Sequence, residues 1–205
     1  MQYLIRKATP NDSENITRAI LSAGGNFLPW LFGPRFQQII YDATNSENCS
    51  FSWINTIVCE INNTVAGVVV CYPSEKEKEM DAGLSVILKR YFTFFSFLKF
   101  LRRARKAVKY FRKPKNSYYV LAIAVFDIYQ RRGVAKSLLS HVEEKARAGG
   151  YTSIALEVES YNVPATTAYL KQGFEKRYEI PIKNFSRVLA KDRHSSMWLM
   201  RKKLN

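Results

Sequence analysis

Gln130-Arg131-Arg132-Gly133-Val134-Ala135 closes the apolar run Tyr118 to Phe126 and opens a helical one. A turn at such a junction aims backbone N–H groups outward, because the first N–H groups of a helix lack intrahelical partners and the helix dipole adds partial positive charge there. That arrangement suits a pyrophosphate where the residues touching it are small, and Gly133 and Ala135 are small. Read alone, the stretch is also compatible with an ordinary strand-to-helix turn.

The residues beyond it extend the pattern. Val134, Leu138, Leu139, Val142 and Ala146 recur at helical spacing up to Gly149-Gly150, which predicts a helix of about four turns. Ile154 to Glu159 alternates apolar and polar, as a strand with one buried face does. Asn162, Pro164, Ala165, Tyr169 and Gly173-Phe174 read as a second helix with Pro near its first turn and Gly at its exit. The order strand, loop, helix, strand, helix, strand predicts an α/β fold.

In these residues the chain resembles the GNAT N-acetyltransferase superfamily. The family's loop pattern, Gln/Arg-x-x-Gly-x-Gly/Ala, is met at Gln130, Gly133 and Ala135. Its later pattern, Asn-x-x-Ala-x-x-x-Tyr-x-x-x-Gly-Phe, is met at Asn162, Ala165, Tyr169, Gly173 and Phe174. The close match runs from Tyr118 to Ile180, and the part before it fits in general pattern only. The resemblance implies a GNAT fold, a mixed central sheet of about six to seven strands flanked by helices.

The resemblance also implies the chemistry, direct transfer of acetyl from acetyl-coenzyme A to a primary amine of a small molecule or peptide whose identity is unknown; the alternative is a membrane- or partner-binding module that keeps the fold with little or no turnover. Phosphates would be held by the loop, here Gln130, Arg131, Arg132, Gly133, Val134, Ala135 and Lys136. The pantetheine arm would lie along the edge of the central strand at Ile123, Ala124 and Val125, like an added strand. Asn162, Ala165 and Tyr169 would meet the same arm, with Tyr169 as the general acid for the leaving thiolate. Tyr169 also reads as a plain core aromatic. Ribosomal-protein N-terminal-alanine acetyltransferases share the order Leu-Glu-Val, Asn, Tyr, Gly-Phe, which singles out Glu157 in Leu156-Glu157-Val158 as the general base. Alternation puts Glu157 and Glu159 on one strand face, so Glu159, a water chain and a plain solvent-side role for Glu157 stay open.

The N-terminal half reads as a strand at Tyr3 to Ala8, helices at Asp12 to Ala23 and Phe36 to Ala43, and a hairpin of Ile54 to Ile61 with Val65 to Tyr72 through Asn62-Asn63-Thr64. Phe27, Leu28, Trp30, Leu31 and Phe32 would form an apolar wall of the acceptor site or belong to the core, with Tyr178 to Pro181 and Ser196 to Arg201 closing the other side. A length of 205 residues at 47% hydrophobic suits one domain over 1–205.

Residues 74–116 differ in composition and read as an insertion. Lys89 to Lys113 holds ten Lys and Arg, Arg112 among them, without Asp or Glu, and so accounts for ten of the formal net charge of +15. Phe94, Phe97, Leu101, Ala104, Val108 and Phe111 recur at steps of three and four, which predicts a basic amphipathic helix with these residues on its apolar face and the basic residues mostly opposite. Four roles stay open for it: a solvated packing helix, contact with an anionic membrane surface, a wall of the acceptor pocket, or a dimer contact in a chain that is either monomer or homodimer. Nucleic acid ranks last, because the aromatics keep helical register and build no base-stacking platform. The excess positive charge favours an acidic or phosphate-bearing acceptor over a polyamine.

Val86 to Leu101 is interrupted by Lys89, Arg90 and Lys99 and is too short for a membrane span, and the start of the chain lacks a secretory pattern. Cys49, Cys59 and Cys71, without CxxC spacing and with only His141 and His194 beside them in the composition, argue for a reducing compartment and against a metal site. The expected location is cytoplasmic, with a peripheral place at a membrane as the alternative.

Overall fold

The computed structural model describes residues 3–111, 113–184, 186, 188–189 and 195–204, with the side chain of Asp81 outside that description. Arg112 of the basic run and His194 lie outside the described residues. The strands, numbered along the chain, are β1 (Leu4–Lys7), β2 (Thr56–Ile61), β3 (Thr64–Pro73), β4 (Ser117–Val125), β5 (Ser153–Glu159), β6 (Glu175–Pro181) and β7 (Ser196–Lys203). They form one mixed sheet in the order β1-β2-β3-β4-β5-β7-β6. β4 and β5 run parallel, and the other neighbours are antiparallel.

The hairpin between β2 and β3 turns on Asn62 and Asn63, whose φ values of 51° and 59° lie in the left-handed region that Asn tolerates and a tight hairpin requires. β3 is buried on both faces, so it reads as a continuous apolar run. Val68 and Val70 join a core with α1 (Ser13–Gly24), α2 (Phe27–Phe32) and α3 (Phe36–Asn45), while Val69 and Cys71 join a second core under α6 (Val134–Ala148) and α7 (Val163–Lys171). Cys49, Cys59 and Cys71 are all buried, and burial pushes the Cys71 thiol up to about 12, which removes its nucleophilic form.

Gly67 sets the seat of α6. A Cβ at this position would stand 2.7 Å from Val134 Cγ1 and 3.1 Å from the Ala124 carbonyl oxygen. The absence of a side chain there lets the first turn of α6 settle directly on the sheet.

The segment between β3 and β4 departs from the expected single basic helix. It forms two helices, α4 (Glu77–Tyr91) and α5 (Phe94–Tyr110), broken at Phe92-Thr93. Thr93 caps α5, its Oγ1 accepting from the Ser96 N–H. α4 is held through Gly83, where any Cβ would overlap the Asn48 carbonyl.

The face of α5 that packs on the protein is rotated from the apolar stripe that periodicity gives. Phe94 and Val108, placed in that stripe by periodicity, are 72% and 66% exposed, whereas Ala107 is buried. Phe97, Leu101, Ala104 and Phe111 are half-buried. The cause lies in α2: Phe100 stacks on Phe32 with ring centroids 5.7 Å apart, and Arg103 donates to the Trp30 carbonyl. No helix among the described residues is long and apolar enough to cross a membrane.

Candidate active site

β4 is paired along both edges for only part of its length. Against β3 it pairs from Tyr118 to Val125, with an irregularity opposite Val70/Cys71 that leaves Leu121 out of register. Against β5 the parallel ladder runs only from Ser117↔Ser153 to Val120↔Leu156. A bulge bends and twists its strand, so β4 leaves β5 at the residue where the bulge falls. Beyond it, Ile123, Ala124 and Val125 border an open slot with half-buried side chains and a backbone edge that no longer pairs with β5 among the described residues, the Val125 carbonyl accepting instead from Gln130 Nε2 at 3.4 Å. Such an edge is a ready partner for an extended, amide-containing arm.

The slot leads to the loop before α6. Gln130 is fixed by its Nε2, which donates to Asp127 Oδ1 at 2.8 Å. Arg131 and Gly133 both adopt left-handed φ, 59° and 85°, and a Cβ on Gly133 would meet nothing closer than Tyr3 Oη at 3.9 Å. The Tyr3 hydroxyl donates to the Arg132 carbonyl and ties the loop to the start of β1, a contact that local motif reading could not reveal. The first bond inside α6 is from the Ser137 N–H to the Gly133 carbonyl, 3.0 Å. The N–H groups of Val134, Ala135 and Lys136 make no backbone hydrogen bond among the described residues and stand at the positive end of the helix dipole. Arg131, Arg132 and Lys136 are exposed around them.

Glu157 lies just past the point where β4 and β5 part. The Tyr119 hydroxyl donates to its Oε2, whereas its Oε1 is buried without a hydrogen-bond partner among the described residues. Burial pushes the carboxyl up to about 7, against the opposing pull of the Tyr119 hydrogen bond and the Lys113 charge. Glu159 differs: the Tyr161 hydroxyl donates to it.

Tyr119 opens a buried polar relay. Its ring lies 5.7 Å from that of Tyr72, and the Lys113 ammonium sits 4.2 Å over Tyr119 and 5.0 Å over Tyr72. Lys113 Nζ also donates to Tyr72 Oη at 2.9 Å and to the Glu77 carboxylate. Thus the end of the basic segment and the start of α4 reach Glu157 through two tyrosines. Sequence reasoning missed Lys113, Tyr72 and Tyr119, because only the parallel ladder, which sets Tyr119 beside Ala155 two places from Glu157, brings them together.

On the opposite face, Ala165, Tyr169, Ile123 and Val125 pack against one cluster with Val158 and Phe174. The Tyr169 ring stands 5.8 Å from Phe174, and burial pushes its hydroxyl up to about 12. That hydroxyl makes no hydrogen bond to a described residue. Asn162 is exposed and caps α7, its Oδ1 accepting from the Ala165 N–H at 3.2 Å.

The residues expected to wall the acceptor site divide between two places. Leu28 and Phe32 are buried in the core, while Phe27 and Trp30 gather with Ile180, Met197, Tyr110 and Phe111 between the end of α5 and strands β6 and β7. No group of three His, Cys, Asp or Glu side chains converges among the described residues.

Comparison with known proteins adds independent findings. The family described as acetyltransferase (GNAT) family matches residues 23–174. N-acetyltransferase 8B of Rattus norvegicus is 39% identical over 54 residues, 26% of this chain and 24% of the rat protein, so the match spans about a quarter of that relative's length. An N-acetyltransferase from Staphylococcus aureus Mu50 superposes with a TM-score of 0.72 at 19% identity, covering 97% of this chain and 99% of that one. The ribosomal-protein-S18-alanine N-acetyltransferase of Escherichia coli superposes with a TM-score of 0.60 at 14% identity, covering 100% and 95%. At these identities the two structures share the fold.

Proposed function

Because the chain belongs to the acetyltransferase (GNAT) family, we propose that it moves an acetyl group from acetyl-coenzyme A directly to a primary amine of a small molecule or peptide. The observation that carries this reading is the buried Glu157 Oε1, an acceptor without a partner among the described residues, beside the open slot of β4. A lone buried carboxylate oxygen is costly, and an incoming ammonium would supply the missing donor.

Acetyl-coenzyme A brings the acetyl group as a thioester. Three features of the chain fit it: the N–H groups of Val134, Ala135 and Lys136, which lack backbone partners among the described residues, the open space at Gly133, and the β4 edge at Ile123, Ala124 and Val125, which has parted from β5. Gln130, Arg131 and Arg132 complete the loop. Ala165 and Tyr169 line the far side, and Asn162 holds the first turn of α7 in place as it caps it.

An amine with a pKa near 10 is almost wholly protonated at neutral pH, so its proton must be removed before attack. Glu157 takes that proton on Oε1, with its carboxyl titrating near neutrality and oriented through Oε2 by Tyr119. The occupied carboxylate of Glu159 makes it the weaker choice. Tyr169 gives its hydroxyl proton to the departing thiolate, and the raised pKa keeps it protonated until then.

A groove lined by Arg105, Val108, Lys109, Lys113 and Glu77 runs beside the relay and supports an acidic or phosphate-bearing acceptor. The test is release of coenzyme A thiol across a panel of primary amines that includes acidic, phosphorylated, neutral and polyamine members. Turnover is expected, fastest with the anionic members, and lowered about 10²–10⁴-fold in Glu157→Gln. Thiol release no faster than the uncatalysed rate with every amine would refute the proposal.

A further inference from the structure

The first turns of α5 expose apolar side chains that acetyl transfer does not use. Phe94 and Phe95 are 72% and 75% exposed, and Leu98 and Val108 are 47% and 66% exposed. Soluble surfaces scatter single apolar residues, but two adjacent phenylalanines in edge contact with a leucine one turn on make a patch. Lys99, Arg102, Arg105, Lys106 and Lys109 are exposed along the same helix, and Val86, Lys89 and Arg90 are exposed at the end of α4, beside the Phe92-Thr93 corner. The inner face is already occupied by Phe32, Trp30 and Phe27.

We propose that the corner between α4 and α5 and the outer face of α5 dock on an anionic lipid membrane surface, with Phe94, Phe95 and Leu98 entering the boundary between headgroups and acyl chains and the Lys and Arg side chains meeting lipid phosphates.

Two features select this occupant. The segment from Lys89 to Lys113 contains no Asp or Glu, so two such faces from different copies would repel each other. A second copy is therefore a poor cover. A polyanion such as nucleic acid satisfies the charge but not the phenylalanines, which sit at the N-terminal end of α5 while Arg102, Arg105, Lys106 and Lys109 follow along it. A lipid interface takes both, because it places apolar tails and phosphates within one side-chain length of each other. The inference does not rest on the acetyl-transfer reading, since Phe94, Phe95, Leu98, Lys99, Arg102 and Lys106 belong neither to the slot and loop nor to the groove beside the relay.

The test is co-sedimentation of the full chain with phosphatidylcholine vesicles and with vesicles in which about a third of the lipid is phosphatidylserine, at low and at high salt. Expected are binding to the anionic vesicles at low salt, at least tenfold weaker binding to neutral ones, and a marked loss at high salt. Replacing Phe94→Ser with Phe95→Ser should weaken anionic binding about tenfold without altering charge, and Arg102→Glu with Lys106→Glu should nearly abolish it. All four side chains are exposed, so the melting temperature should stay put in both variants and separate lost docking from lost folding. Absence of binding to anionic vesicles at low salt would overturn the proposal. Binding that the serine pair leaves intact would also overturn it, returning the face to polyanion attraction alone. Self-association lost in the serine pair without vesicle binding would assign the patch to a second copy instead.

Discussion

A base that must take a proton from an amine near neutral pH works best with a pKa near that pH, and Glu157 approaches it through burial. Under the proposed mechanism, kcat/KM rises with pH through about 7 as Glu157 loses its proton, and Glu157→Gln removes that limb from a pH–rate profile. Tyr119→Phe separates positioning from chemistry. The hydrogen bond from Tyr119 lowers the Glu157 pKa, so its loss should move the same limb to higher pH while activity at alkaline pH recovers. A limb that stays in place would leave Tyr119 as packing alone. On the other face, Tyr169→Phe should reduce kcat about 10²–10⁴-fold with little change in acetyl-coenzyme A affinity, as single-turnover and titration measurements would show. Gln130, Gly133, Ala135, Asn162 and Tyr169 were legible as candidates because motif spacing along one helix or turn defines them. The capping bond of Asn162 was equally local, since Asn before a Pro-containing first turn is a helix start. The partner of Glu157 was not, for Tyr119 lies 38 residues away and reaches it only across the parallel ladder.

At the scale of elements, the loop can hold phosphates only if α6 begins where the sheet lets it. Gly67→Val should force Val134 away from the sheet, costing about 1–3 kcal/mol in denaturant unfolding and weakening acetyl-coenzyme A together with stability. A variant with full stability and full affinity would show that the close approach is not needed. The strand-loop-helix core was legible because α6 and the alternating β5 carry a clear repeat, while β4, packed between α1 and α6, reads as a continuous apolar run. α5 was not, because it carries two overlapping apolar stripes. Phe94, Leu98 and Val108 form one, and Phe100, Ala104 and Ala107 form another, and spacing alone cannot say which meets the protein. The choice was made by Phe32 and Trp30, which lie in a six-residue helix, Phe27–Phe32, that the sequence reading gave as an acceptor-site wall or as core without assigning it a helix.

Across the whole molecule, burying Glu157 should leave a signature in stability. Its folded pKa stands above its unfolded value, so the folded state holds the proton more tightly. The stability contributed by this group is present at acid pH and is lost as pH rises from about 4.5 to about 7. Melting temperatures across that window should fall with a component that Glu157→Gln abolishes, and an unchanged slope in the variant would place the carboxylate in water. The same cost is what an acceptor amine would offset, so site and fold are coupled through one side chain. The most direct measurement of the central claim is calorimetric titration of acetyl-coenzyme A into the native chain and into Gly133→Glu, with melting of both as a control. Gly133 is exposed and a new carboxylate there stands at the N–H groups that open α6. Saturable one-to-one binding to the native chain and its loss in a still-folded Gly133→Glu are predicted. Equal affinity in the two, or no binding to the native chain, would contradict the assignment of this loop and slot to acetyl-coenzyme A.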